Sequence, residues 1–238
     1  MERLRIIIFS LLVALSANSY SQYFEDAEDF VIKDYKYDDF TKIEAEYQIK
    51  VNYKSLPDSA GCVVIQGKRE ALKNLLVKSE KNVFTAKLKK KVVTPDTITI
   101  DVYSNGLTAI ETKGTALVNI LSSIDAPEIS FRTDGESLIT AKEVNCGIFK
   151  CKCGDTSNIV INGGKCGTSD LTMSGRGSIA VFNMTTESST VIITGNGDVR
   201  CQASTDLNVT ISGNGKLYYT GSPRIRARIP SPSQIAAF

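Results

Sequence analysis

Ser174-Gly175-Arg176-Gly177-Ser178-Ile179, Thr194-Gly195-Asn196-Gly197-Asp198-Val199 and Ser212-Gly213-Asn214-Gly215-Lys216-Leu217 write one pattern three times. Each has a hydroxyl residue, two spaced glycines and an aliphatic. Before each lies an apolar-rich strand pattern (Leu171-Thr172-Met173, Val191-Ile192-Ile193, Val209-Thr210-Ile211), and after each the apolar spacing of two resumes at Ile179/Val181, Val199/Cys201 and Leu217/Tyr219. A strand, a glycine corner and a strand at a nearly constant interval describe a solenoid. A helix is excluded, because the apolar period is two and β-branched residues crowd the strands.

Phased on the aliphatic after the corner, the repeat extends back through Val118, Leu138, Ile159, Ile179, Val199 and Leu217, with a second column two residues further on: Ile120, Thr140, Ile161, Val181, Cys201 and Tyr219. The earlier corners are degenerate but keep a glycine: Gly114, Gly135 and Gly154. The expected architecture is all-β, a single-stranded parallel β-helix of about six rungs spaced ~4.8 Å apart. Gly175, Gly177, Gly195, Gly197, Gly213 and Gly215 are its structural corners. Glycine is expected there because a sharp corner calls for a positive φ, which costs a residue with a Cβ roughly 1–2 kcal/mol.

Residues 1–21 read as a cleavable targeting segment: Arg3 and Arg5, an apolar run from Ile6 to Leu15, and a small-x-small site at Ser19-Tyr20-Ser21. No other stretch approaches the ~20 apolar residues of a membrane-spanning helix. Removing the segment takes away Glu2, Arg3 and Arg5 and leaves 26 basic against 25 acidic residues of the original 28 and 26. So even a balance argues against a general nucleic-acid or membrane-surface role. The chain has no His, the commonest general base and metal ligand. Residues 22–36, acidic and aromatic, read as a loose lead-in. Residues 37–105 alternate in strand fashion without glycine corners and are expected to cap the first rung, with strands at 61–66, 83–91 and 97–103 and a helical turn near Leu72 to Leu76. The run Lys87, Lys89, Lys90, Lys91 reads as an exposed edge strand. Residues 106–221 are the rungs and 222–238 a tail.

Several stretches together resemble a known family. They are Asp39-Phe40-Thr41-Lys42-Ile43, Gln66-Gly67-Lys68 followed by Leu72, the Ser-Gly-x-Gly rungs, and the end from Ile211 to Pro223. The chain is similar to the auto-transporter adhesin head domain, or GIN domain, of exported Bacteroidetes proteins. The resemblance covers most of residues 37–238, which it implies are one domain. It implies an adhesin-like role and no catalytic residues or cofactor. In such exported proteins Asp58-Ser59-Ala60 and Asp96-Thr97-Ile98 resemble O-glycosylation sites, at Ser59 and Thr97.

Of six cysteines, Cys62 stands apart, Cys201 sits in an inward column, and Cys146, Cys151, Cys153 and Cys166 cluster on adjacent rungs. Core thiols, a Cys146–Cys166 disulfide and a thiolate metal site are all open, the last weakened by the lack of the usual ligand spacing. For catalysis the best constellation is Asp134 with Asp155. Counted from Leu138 and Ile159 they stack about 5 Å apart, as in a retaining glycosidase. Two corner carboxylates in water are the plainer reading.

The position after each aliphatic points outward on this phase, and Ile139, Val160 and Ala180 make it apolar, with Tyr218 as an aromatic edge. Such a stripe calls for a cover: the N-terminal third folded along the rod, a second copy of the chain, or a ligand. The expected function is a non-catalytic exported module that presents its stacked faces to a glycan or protein in the periplasm, at the outer-membrane surface or outside the cell. A polysaccharide-active enzyme using Asp134 and Asp155, and a structural spacer, are the alternatives.

Overall fold

The computed structural model describes residues 29–89, 98–231 and 234–238. The targeting segment, Thr97, Lys90 and Lys91 lie outside them. The first strands are β1 (Phe30–Lys36), β2 (Lys42–Glu46), β3 (Ile49–Ser55) and β4 (Cys62–Lys68). A single helical turn, α1 (Arg69–Leu72), leads into β5 (Leu75–Glu80), β6 (Val83–Leu88) and β7 (Ile98–Ser104). The repeats begin with β8 (Ala109–Lys113), β9 (Leu117–Thr133), β10 (Leu138–Cys153), β11 (Asn158–Ile161) and β12 (Gly164–Met173). They continue through β13 (Ser178–Ala180), β14 (Thr185–Ile193), β15 (Asp198–Gln202), β16 (Asp206–Ile211), β17 (Lys216–Thr220), β18 (Arg224–Arg228) and β19 (Ile235–Ala237).

From Ala109 to Ala237 every pairing is parallel, which makes a β-solenoid of about six turns. A turn has up to three faces. The first holds the strand after the corner, and its inner column reads Val51, Val118, Ile139, Ile159, Ile179, Val199, Leu217 and Ile235. The second is short, with Val144 and Cys146 opposite Ile124 and Ala126. The third precedes the next corner, with Phe131, Cys151, Leu171, Val191, Val209 and Ala227 in register. All but the terminal Ala227 are buried, and Phe131 meets Phe149 edge to face at 5.3 Å. Burying one such aliphatic side chain contributes about 1.5–3 kcal/mol, so the columns hold the rungs in phase.

That phase departs from the expected one at a single rung. Leu138-Ile139 places two apolar residues side by side, and it is Ile139 that pairs with Val118 and Ile159 and is fully buried. Leu138 faces outward beside Leu117. The alternation of a strand cannot choose between adjacent aliphatics. The choice is made by the corner, which spans four residues from Gly135 to Ile139 as from Gly114 to Val118.

The N-terminal third does more than cap. β2 and β3 form a rung whose strands pair in parallel with β8 and β9 on one side and with β6 and β7 on the other. The spatial order therefore begins β6/β7, β2/β3, β8/β9, with the first-made rung between two later ones. β4 and β5 then lie antiparallel against β7 and β6 and close that end of the stack, with β1 beside β4. The lead-in thus ends as a strand. Among the described residues no part of the N-terminal third lies along the rod, because its rung strands stack on the end of it in the same register.

The corners use glycine in two ways. Tyr47, Gly114, Gly135 and Asp155 share one corner position and have φ of 68°, 71°, 82° and 46°. Gly175, Gly195 and Gly213 continue that column without a left-handed φ. There the need is for space: a Cβ on Gly195 lies 2.1 Å from the carbonyl oxygen of Gly175, and one on Gly177 lies 1.7 Å from that of Ser157. The expected positive φ is therefore corrected to close backbone approach for the Ser-Gly-x-Gly rungs.

Candidate binding face

The outer side of the first face carries a continuous column: Asn52, Asn119, Thr140, Val160, Ala180, Arg200, Tyr218 and Ala236. Its first part is a hydrogen-bonded ladder across five strands. Gln66 Nε2 and Asn52 Nδ2 donate to the two oxygens of Asp101, at 3.0 and 2.8 Å. Asn119 Nδ2 donates to Asn52 Oδ1 at 3.0 Å, and Thr140 Oγ1 to Asn119 Oδ1 at 2.7 Å. From Asp101 to Thr140 register causes this: parallel in-phase strands put identical heights of the stack one above another, so short polar side chains reach their neighbours, while Gln66 reaches Asp101 from antiparallel β4.

The column then turns apolar at half-buried Val160 and at Ala180, 9% exposed. Beyond it the chain sets an aromatic group. The guanidinium of Arg200 lies 5.8 Å from the ring centre of Tyr218, within cation–π range. Tyr218 meets Phe238 at 6.4 Å and 82°, and Phe182 meets Phe238 at 5.5 Å and 72°. Phe238 is 58% exposed. Arg200 is exposed, and among the described residues no carboxylate forms an ion pair with it. Chemically the face offers amide and hydroxyl groups at one end, a small apolar floor, and aromatic edges with a cation at the other.

Of the sequence candidates, Val160, Ala180 and Tyr218 share this column, whereas Ile139 points into the core. Phe182, Arg200 and Phe238 were missed. Phe182 and Phe238 each stand two residues past this column, after Ala180 and Ala236, and only the stacking of distant rungs brings their rings together.

Asp134 and Asp155 are one residue out of register with each other. Because Ile139 sets the rung, Asp134 stands level with Gly154 and Ser174, and Asp155 with Gly135 and Gly175. The backbone bonds follow this register: Gly154 N donates to Thr133 O at 3.0 Å, and Thr156 N to Gly135 O at 3.0 Å. The two acids line separate depressions, Asp134 with Arg132, Lys152 and Ser174, Asp155 with Glu136, Thr156 and Arg176. Asp134 Oδ1 accepts from Gly135 N at 3.2 Å, the ordinary work of a turn residue. Ser59 ends a short 3-10 turn, Pro57–Ser59, and is partly exposed.

Among the described residues no group of three or more His, Cys, Asp or Glu is placed to hold a metal, and no helix is long and apolar enough to cross a membrane. Cys151, Cys153 and Cys201 are core thiols. Burial pushes the Cys201 thiol up to about 12 and Cys151 well above its usual value. Burial also raises Tyr53, whose hydroxyl accepts from Ser104 Oγ at 3.0 Å.

No curated protein matches the chain. Among solved structures, a "putative adhesin" from Bacteroides fragilis is similar at 22% identity, covering 83% of this chain and 91% of its own, with a TM-score of 0.78. A "putative adhesin" from Parabacteroides distasonis shares 17% identity over 88% and 94% of the two chains, with a TM-score of 0.69. A "putative lipid binding protein" from the same species shares 14% identity over 88% and 94%, with a TM-score of 0.65. These likenesses show the shared fold. A family model matches residues 39–223, from the first in-stack strand to the last glycine-cornered rung, and on that match the chain belongs to the family described as "Putative auto-transporter adhesin, head GIN domain".

Proposed function

We propose that this chain is an exported, non-catalytic binding module that holds a cell-surface partner, a glycan or a protein, against the outer side of its first face. The single observation that carries this reading is the column Val160, Ala180, Arg200, Tyr218 with Phe182 and Phe238 at its end. Among the described residues the N-terminal third stacks on the end of the rod and not along this face. Aromatic edges beside a cation and a hydrogen-bonding ladder suit a glycan, whose C–H faces pack on rings while its hydroxyls bond to amides. A small apolar centre with a polar surround also fits a protein. Family membership supports the coarse role of surface binding, and the offset register of Asp134 and Asp155 favours binding over cleavage. Export to the periplasm or cell surface rests on the targeting segment and the family, and O-glycans on Ser59 and Thr97 belong to the same proposal.

The test is a glycan panel assayed both for binding and for new reducing ends, with wild type and Val160→Glu. Binding without new reducing ends, lost in the variant at unchanged melting temperature, is the expected result. New reducing ends overturn the non-catalytic reading. If the panel is silent, the same pair is run against cell-surface proteins of co-resident bacteria. Association there that does not distinguish Val160→Glu from wild type overturns the assignment of the face.

A further inference from the structure

The short second face holds a pair of thiols that the binding face does not use. Its inner column reads Ala126, Cys146, Cys166 and Thr186. Cys146 and Cys166 are register partners on neighbouring parallel strands, twenty residues apart, with Sγ atoms 3.4 Å apart. The other cysteines have no such partner. Cys151 faces Phe131 and Leu171, Cys153 faces Thr133 and Met173, and Cys201 faces Tyr219. Cys62 lies 3.6 Å from Lys36 Nζ, on β4 at the closed end.

We propose that Cys146 and Cys166 are a cross-rung disulfide site, closed by exchange with an external disulfide. Paired parallel neighbours stand about 4.8 Å apart, inside the Cα range of roughly 4.4–6.8 Å that a disulfide accepts. Closure to an S–S distance of about 2.05 Å needs rotation about the two Cα–Cβ bonds and a local approach of the two strands, since a disulfide holds its Cβ atoms about 3.5–4.5 Å apart. Access is provided by a surface depression lined by Cys146, Cys166, Lys165, Gly167, Thr185 and Glu187. Gly167 keeps the lane beside the pair bare, since a Cβ there would lie 2.8 Å from Gly147 O.

The exchange runs in two displacements. The thiolate of Cys146, the more exposed of the two, attacks one sulfur of the external R–S–S–R, which forms Cys146–S–S–R and expels one RS−. Cys166 then attacks Cys146 Sγ, which closes the protein disulfide and expels the second RS−. The two thiol protons end on two R–SH, so the external disulfide is reduced as the protein pair is oxidised. In the reduced pair the Cys146 thiol donates to Cys166 Sγ, which raises Cys146 and lowers Cys166, so the first attack follows transfer of that proton from Cys146 to Cys166.

The test uses the full chain, reduced, freed of reductant, equilibrated with glutathione disulfide, then unfolded and alkylated. Two of the six cysteines should escape alkylation, and a peptide map should join the segments that contain Cys146 and Cys166. In Cys166→Ser the glutathione should remain on Cys146, because nothing resolves it. Alkylation of all six, a stable glutathione adduct on Cys146 in wild type, or a link between any other pair overturns the proposal. The wild-type readings stand even if the variant fails to fold.

Discussion

Gly195→Ala tests the close approach of the corners. The new Cβ would sit 2.1 Å from the carbonyl oxygen of Gly175 and 2.9 Å from its carbonyl carbon and its nitrogen. Carbon and oxygen in even the closest ordinary contact stay about 3.3 Å apart, so the rungs must separate locally by about 1.2 Å. That oxygen accepts from Asn196 N and Gly197 N, both at 2.9 Å. Losing one or both costs about 0.5–1.5 kcal/mol each, and forced backbone shifts in a packed interior cost about 1–3 kcal/mol. The expected loss is about 2–4 kcal/mol, or a drop of roughly 5–15 °C in melting temperature for a domain of this size. Thermal unfolding followed by circular dichroism measures it. Gly106→Ala is the control, since nothing lies within 4 Å of a Cβ there. Gly195→Asn separates the causes, because asparagine tolerates a left-handed φ but still carries a Cβ. A Gly195→Ala protein that melts with wild type would refute the close-approach argument, and an Asn variant as stable as wild type would return the corner to a φ requirement.

Three further predictions follow from the same register. Ile139→Ala should cost about 2–5 kcal/mol as a core truncation, whereas Val160→Glu should change stability by less than about 1 kcal/mol; chemical denaturation of both variants checks this, and a reversal would restore the Leu138 phase. Asp134→Asn with Asp155→Asn should leave glycan binding unchanged, and any hydrolysis abolished by that double variant would show that the acids act together. Alkaline pH should weaken the fold through Cys201, whose folded value of about 12 lies above an unfolded one. The raised value means that the contribution is complete below about pH 8.5 and falls by roughly 1.4 kcal/mol per unit as pH rises toward the folded value. Urea unfolding from pH 8 to 11 should show a gap between wild type and Cys201→Ala that changes with pH, and a constant gap would exclude the linkage.

Much of the fold was legible because a solenoid repeats its own evidence. Val199, Leu217 and their neighbours recur at a fixed distance from a glycine corner, and each rung confirms the phase of the others. The reading slipped where that redundancy failed. At Leu138-Ile139 two aliphatics stand together and the corner lacks its second glycine, so the phase moved by one residue. That slip carried Ile139 to the wrong side and brought Asp134 level with Asp155. The proposed binding face was half legible: Val160, Ala180 and Tyr218 follow from alternation, but Phe182 and Phe238 are 56 residues apart and share no repeat position with Tyr218.

The sequence by itself determined the class of fold, the rung length and which residues turn the Ser-Gly-x-Gly corners, since these rest on local sterics and on a period of two. Only the tertiary structure decided the order in which the rungs stack. Nothing local in β2 and β3 marks them as lying between β6/β7 and β8/β9, because that choice is made by the pairing of edges from distant parts of the chain. Tertiary structure also decided why the corner glycines are needed. A residue's φ is a property of its own backbone, but the 2.1 Å between Gly195 and Gly175 exists only once one rung has been laid on the next.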